Sequence, residues 1–270
     1  MNDYERFFFD LNGYLVVENA LDPRDVDACN EAIDNQREEI HIRAPEESLA
    51  RGATALVGKQ GRGDLGGMLT WPKPWSQPFR DLLAHSVIVP YLDELLGPGF
   101  RLDHLYGITM NKGAEGFVLH GGGNTGDLTH SYQYHNGQMR CGLTVVTWVL
   151  SDHGPGDGGF ACIPGSHKSN YEPPIDVKRL ETDLGVVKQV EAAVGSAIIF
   201  TEALCHGTLP WKADHERRTV LYKYSPGSLS YSGQYLPKGV EGSLHEFTDE
   251  QRAVLQPPYK HMRRPTVEKK

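Results

Sequence analysis

From residue 100 onward, clusters of glycine and proline cut the chain into short, apolar, β-branched stretches, and this restricts what it can fold into. Phe100 to Met110 (FRLDHLYGITM) alternates as strands do. Gly142 to Leu150 (GLTVVTWVL) is apolar and β-branched, fitting a buried strand. Gly195 to Phe200, Cys205 to Pro210 and Arg218 to Tyr224 read as further short strands. Gly154-Pro-Gly-Asp-Gly-Gly159, Pro164-Gly165 and Pro226-Gly227 supply the turns between them. Many short strands after a helical N-terminal part predict a mainly β fold with flanking helices (α+β), a double-stranded β-helix or cupin-like jelly roll. No internal repeat is evident.

The first hundred residues have a different texture. Residues 4–18 read as a short helix, a turn and a strand. Asp22-Pro23 opens a helix over about 23–40, with proline early and acids in the first turn. Its apolar positions are sparse, which places it on the surface. Residues 44–76 are polar and rich in glycine, and little regular structure is expected there. A loop of that length in a compact domain is either a lid or a disordered segment. Trp71 and Trp75 favour an ordered lid packed over something, with Arg62 and Lys73 available to meet an anion. Residues 77–98 read as one or two helices ending at Gly97-Pro98-Gly99. The chain of 270 residues is read as one domain. It comprises a helical part with its lid (about 1–98), a jelly-roll core (about 100–227) and an extension (228–270) whose basic end is expected to fray.

Composition narrows the function classes. The net charge of −8 argues against a nucleic-acid surface. No apolar run approaches the ~20 residues of a membrane span. Four widely spaced cysteines without a CxxC suggest reduced thiols and a cytoplasmic protein.

The chemistry gathers at two histidines. Leu119-His120-Gly121-Gly122 lies 86 residues before Cys205-His206-Gly207, and Arg217-Arg218 follows 11 and 12 residues after His206. Two histidines and a carboxylate commonly hold Fe(II) on one face and leave the other open to ligands. The carboxylate normally stands two residues after the first histidine, and here that position is Gly122. None of the 12 histidines has an acid two residues later. His130 and His135, the other candidates upstream of His206, do not restore the motif. Arg217 and Arg218, adjacent on a strand, point to opposite faces, so only one can enter the barrel. A guanidinium there would suit the distal carboxylate of 2-oxoglutarate. Asp127, seven residues after His120, could fold back as a third ligand, and Glu115 is a weaker candidate.

The segments GLTVVTWVLSDHGPGDGGFACIPGSHKSN, FTEALCHGTLPW and HERRTVLYKYSPG, with the opening FFFDLNGYLVVENAL, resemble the phytanoyl-CoA dioxygenase family of Fe(II)/2-oxoglutarate oxygenases. The resemblance covers roughly residues 5–227. It implies a jelly-roll core, Fe(II), 2-oxoglutarate and O2. It also implies His120 and His206 as metal ligands, and Arg217 or Arg218 as the 2-oxoglutarate anchor. Trp148 falls where the family places an aromatic beside the cosubstrate, and Asn111 is a further candidate for that pocket. The departure is Gly122, which is similar to the H-x-G of radical halogenases. A missing carboxylate leaves a coordination position and a negative charge to be replaced, and chloride could supply both.

The expected activity is therefore radical chlorination of an unactivated C–H of a small molecule. Hydroxylation is the close alternative, and a non-catalytic ligand-binding relative is a third reading. Arg62 and Lys73 suggest an anionic, nucleotide-like substrate, with Trp75, Tyr132, Tyr134 and His135 as candidate pocket residues. The GPGDGG stretch lacks the lysine and following helix of a phosphate loop and reads as a turn. Ser166-His167-Lys168 has no matched triad partners.

Overall fold

A computed structural model describes residues 1–123 and 125–266. The N-terminal part runs α1 (Asp3–Asn12), β1 (Tyr14–Val17), α2 (Pro23–Asn35), β2 (Ile40–Ile42), β3 (Gly63–Leu65), α3 (Gln77–Asp81) and α4 (Val89–Leu96). The barrel then runs β4 (Arg101–Met110), β5 (Phe117–His120), β6 (Tyr132–His135), β7 (Gln138–Cys141), β8 (Thr144–Val149) and β9 (Gly159–Cys162). It continues through α5 (Ile175–Lys178), β10 (Lys188–Gln189), β11 (Ala197–Thr201), β12 (His206–Leu209), β13 (Arg217–Ser225) and α6 (Asp249–Val254).

The expected punctuation is present. Asn2 caps α1 by accepting the Glu5 N–H, and Gly13 ends that helix in the left-handed region. Asp22 caps α2, with Pro23 in its first turn. That helix stops at Asn35 rather than near 40, and it is not merely superficial, since Val26, Cys29, Ala32 and Ile33 are buried.

The strands form a seven-stranded sheet, order β1-β11-β8-β13-β4-β3-β2, facing a four-stranded sheet, order β10-β9-β12-β5. β6 and β7 make a separate hairpin. Alternation along the large sheet sorts side chains into two cores. Val145, Val149, Ile108, Ile198, Phe200 and Leu221 meet Phe160 and Cys162 between the sheets. Val146, Trp148, Ile199, Val220, Tyr222 and Tyr224 face the other way, onto helical residues such as Cys29, Ile33, Phe79 and Leu92. All four cysteines are buried and unbridged.

Two expectations change. The 44–76 stretch is more structured than its composition suggests, because β3 adds to the sheet beside β4 and β2 adds to β3. Gly63 permits this, since a Cβ there would lie 2.3 Å from Thr109 Oγ1. The C-terminal segment does not fray at 258–266. Thr266 Oγ1 donates to the Phe100 carbonyl at 2.9 Å, and the Arg263 side chain donates to the Gly99 carbonyl. The last residues of that expectation, 267–270, lie outside the described residues.

Candidate active site

His120 ends β5 and His206 opens β12, and the two are register partners across the antiparallel pair. Cross-strand partners project to the same face, so their ring centroids lie 4.3 Å apart. His206 Nδ1 lies 2.7 Å from the Leu204 carbonyl and His120 Nδ1 lies 3.3 Å from that of Val118. An Nδ1–H donated to a carbonyl leaves the Nε2 lone pair for the cavity, which is how metal-binding imidazoles are usually oriented. Burial pushes His120 down to about 3, helped by the charge of its neighbour His206, and burial lowers His206 as well. Both rings are thus neutral near pH 7, the form that ligates metal.

A carboxylate from another position stands beside the two imidazoles. Glu202, in the turn between β11 and β12, is buried, with an oxygen 3.8 Å from His206 Nε2. His120, Glu202 and His206 bring one donor atom each within 4.8 Å of one another, and no other such group appears among the described residues. Two imidazoles and a carboxylate are the donor set of a facial Fe(II) site. The other Glu202 oxygen makes a contact ion pair with Lys223 Nζ at 2.7 Å. Burial would raise the Glu202 pKa, but Lys223 and the two imidazoles outweigh it and hold the group at about 2. It is a carboxylate at any physiological pH.

Gly122 does not lie in this cavity. Its φ is +81°, its N–H donates to the Ala203 carbonyl at 3.0 Å, and a Cβ there would fall 2.8 Å from Cys205 Cβ and 2.9 Å from Pro173 Cδ. The space beside Gly122 is therefore filled by protein, which corrects the expectation that it makes room for chloride. Gly122→Ala is expected to destabilise the fold by about 1–3 kcal/mol through backbone strain, measured by denaturant midpoint. Asp127 is no ligand either. It is half exposed and is spent on the Thr129 N–H at 2.8 Å and His130 Nδ1 at 3.0 Å. Glu115 accepts from Ser48 Oγ and the Leu49 N–H.

The two arginines separate as alternation requires. Arg218 turns outward to Asp34 at 2.6 Å and Glu216 at 2.7 Å. Arg217 is 2% exposed and lines the metal cavity with Arg62, Tyr106, Thr147, Phe160 and Lys223. Its Nε has no hydrogen-bond partner and its Nη1 reaches only the Met110 sulfur, at 3.2 Å. Burial and the nearby Arg62 push it down to about 9. A buried guanidinium without a carboxylate is costly, and an anionic ligand would satisfy it. The space between these side chains, counted out to its open mouth, is about 420 Å³.

Other expectations fall away from the cavity. Trp148 is fully buried in the helix-facing core, its ring 5.2 Å from that of His85, because its strand neighbour Thr147 takes the inward position. Trp148→Ala is accordingly expected to cost about 3–5 kcal/mol of stability while leaving the KM for 2-oxoglutarate unchanged. Asn111 is exposed in the turn after β4. Lys73 pairs with Glu246 at 3.1 Å, and Trp75 packs against the helix-facing core. Tyr134 and His135 are exposed on the β6–β7 hairpin, and Tyr132 donates to Asp10. Arg62 alone of the proposed lid residues reaches the cavity, with Nε on Asp64 at 2.8 Å.

The fold has solved counterparts. HygX from Streptomyces hygroscopicus, with nickel, 2-oxoglutarate and hygromycin B bound, matches with a TM-score of 0.67 at 22% identity, over 85% of this chain and 89% of that one. SnoK, a non-heme alpha-ketoglutarate-dependent carbocyclase from nogalamycin biosynthesis, matches at 0.58 and 15%, over 98% and 96%. SnoN, an epimerase of the same biosynthesis, matches at 0.57 and 16%, over 84% and 83%. At such identities the likeness establishes the fold. Comparison with curated proteins finds no match. No helix among the described residues is long and apolar enough to cross a membrane. The model of phytanoyl-CoA dioxygenase (PhyH) matches residues 9–219, a span that contains both histidines, Glu202 and Arg217, and the chain belongs to that family of Fe(II)/2-oxoglutarate oxygenases.

Proposed function

We propose that this chain oxidises an unactivated C–H of a small molecule, with His120, Glu202 and His206 holding Fe(II) and Arg217 anchoring 2-oxoglutarate, and that the outcome is hydroxylation. Iron, 2-oxoglutarate and O2 would supply the oxidising power, with one oxygen atom passing to substrate and the other to succinate as 2-oxoglutarate loses CO2. The observation that carries this reading is the buried Glu202 carboxylate beside the two imidazoles. As a ligand it would fill the coordination position, and supply the charge, that chloride would otherwise provide. Lys223 fixes one Glu202 oxygen and leaves the other toward His206, which favours a one-oxygen ligand. The neutral imidazoles present lone pairs, and the apolar walls Phe160 and Phe200 limit water. Small-molecule substrates also suit the neighbours, HygX having been solved with hygromycin B.

Radical halogenation is the second reading, and one distance favours it. Glu202 stands closer to Lys223 (2.7 Å) than to His206 (3.8 Å). A carboxylate that stayed with the lysine would leave a position for chloride. Anaerobic addition of Fe(II) and 2-oxoglutarate should give a weak visible charge-transfer band, and turnover should be indifferent to chloride, with oxygen and no halogen in the product. A chlorinated product in chloride buffer overturns hydroxylation. A missing band overturns both enzymatic readings.

A further inference from the structure

A row of four rings leads from the metal cavity to its rim. Tyr106 lines the cavity itself. His104, two residues earlier on the same face of β4, lies parallel to it with centroids 6.4 Å apart and 13° between planes. Tyr231, from the C-terminal extension, stacks beyond His104 at 6.0 Å. His130 meets the edge of Tyr231 at 5.3 Å and shares a rim hollow with Gly121, Gly122 and Ala203. Tyr231 remains 56% exposed, so its ring is available to a ligand.

This row is anchored from inside the protein. Asp103 is 2% exposed and accepts the N–H groups of Tyr231 and Ser232 at 2.8 and 3.0 Å. The same carboxylate pairs with the Arg101 guanidinium at 3.2 Å and with His104 Nδ1 at 2.7 Å. Arg101, fully buried, donates to the carbonyls of Tyr235 at 2.9 Å and Gln256 at 3.2 Å. Buried ion pairs are costly and persist where every partner is satisfied. Here the pair serves to fix one backbone segment and one imidazole at the mouth.

The polar atoms on this row define a ligand class. His104 Nδ1 is tied to Asp103, and His130 Nδ1 to Asp127 and Thr129. An imidazole Nε2 can donate to or accept from a hydroxyl, according to its protonation. Two such nitrogens beside the exposed Tyr231 ring suit a ligand ring with hydroxyls on its edge and C–H groups on its face. The rim hollow also carries the carboxylates of Asp127, beside His130 at 3.0 Å, and Glu172, paired with Lys178 at 2.9 Å. We propose that Tyr106, His104, Tyr231 and His130 form the recognition wall for a neutral hydroxylated ring, a sugar or cyclitol unit, delivered to the metal cavity. The proposal rests on that cavity being the reaction centre.

The test is saturation-transfer NMR on the full chain with Zn(II) and 2-oxoglutarate, using methyl α-glucoside, myo-inositol and AMP as separate probes at millimolar concentration. Transfer to the ring protons of a polyol probe is expected. It should weaken at least about fivefold in Tyr231→Ala, which loses the exposed stacking face, and in His104→Ala, which loses the ring that Tyr231 stacks on. Polyol signals that are absent, or equal in wild type and both variants, overturn the proposal, as does transfer to AMP alone. The anaerobic Fe(II)/2-oxoglutarate band is recorded on the same proteins. An intact band with a lost polyol signal places the defect at the wall. A band missing from wild type removes the reaction-centre reading, whatever the polyols do.

Discussion

Glu202→Ala is expected to be the most damaging single substitution in this protein, for metal binding and for stability together. Loss of a ligand should lower Fe(II) affinity by more than the 10–100-fold typical of losing a ligand's outer partner. Lys223 would then be left charged, 9% exposed, with its carboxylate gone. Breaking a buried pair from one side costs about 3–5 kcal/mol. Two variants separate the effects. Lys223→Met added to Glu202→Ala should recover most of the stability and none of the metal affinity. Glu202→Gln should keep the volume and still bind iron poorly. The measurements are the denaturant midpoint and Fe(II) titration followed by the 2-oxoglutarate band. Wild-type iron affinity in Glu202→Ala would sink the ligand assignment, and chloride-dependent chlorination by wild type would then become the leading reading.

Arg217→Gln is expected to raise the KM for 2-oxoglutarate by roughly 10–100-fold. A hydrogen bond to a charged group is worth about 1.5–3 kcal/mol, and each 1.4 kcal/mol is tenfold in affinity. The neighbouring Arg218→Gln is the internal control. Its guanidinium holds Asp34 and Glu216 outside the barrel, so KM should not move. Arg217→Lys should recover only part of the affinity, because an ammonium cannot make two parallel hydrogen bonds. Unfolding is not the concern here, since the Arg217 Nε has no partner to lose. The result that defeats the assignment is an unchanged KM in Arg217→Gln, or an equal rise in Arg218→Gln.

The strands were legible because period-2 alternation and turn residues are local signals. β4, β8, β11, β12 and β13 lie close to where those signals put them. The helix caps at Asn2 and Asp22 are equally local. Trp148 shows where local reading stops. Pattern places it on a strand, but a one-residue difference decides which face it takes, and Thr147 holds the inner one. The pair Arg217 and Arg218 posed the same question, and the partners Asp34 and Glu216, far apart in sequence, answer it.

Glu202 is the clearest case. The usual motif carries its carboxylate two residues beyond the first histidine, and none of the 12 histidines has an acid there. Here it stands four residues before His206, across a turn, inside the segment AIIFTEALC. One acid in an otherwise apolar run was the available signal, since charged residues are seldom fully buried unless paired. From the order of residues alone follow the strands, the turns, the two imidazoles and the arginine pair, because each depends on neighbours a few positions away. Which carboxylate joins the imidazoles, which arginine turns inward, and which rings line the mouth were decided only by the folded chain, because those groups converge from distant segments across two sheets.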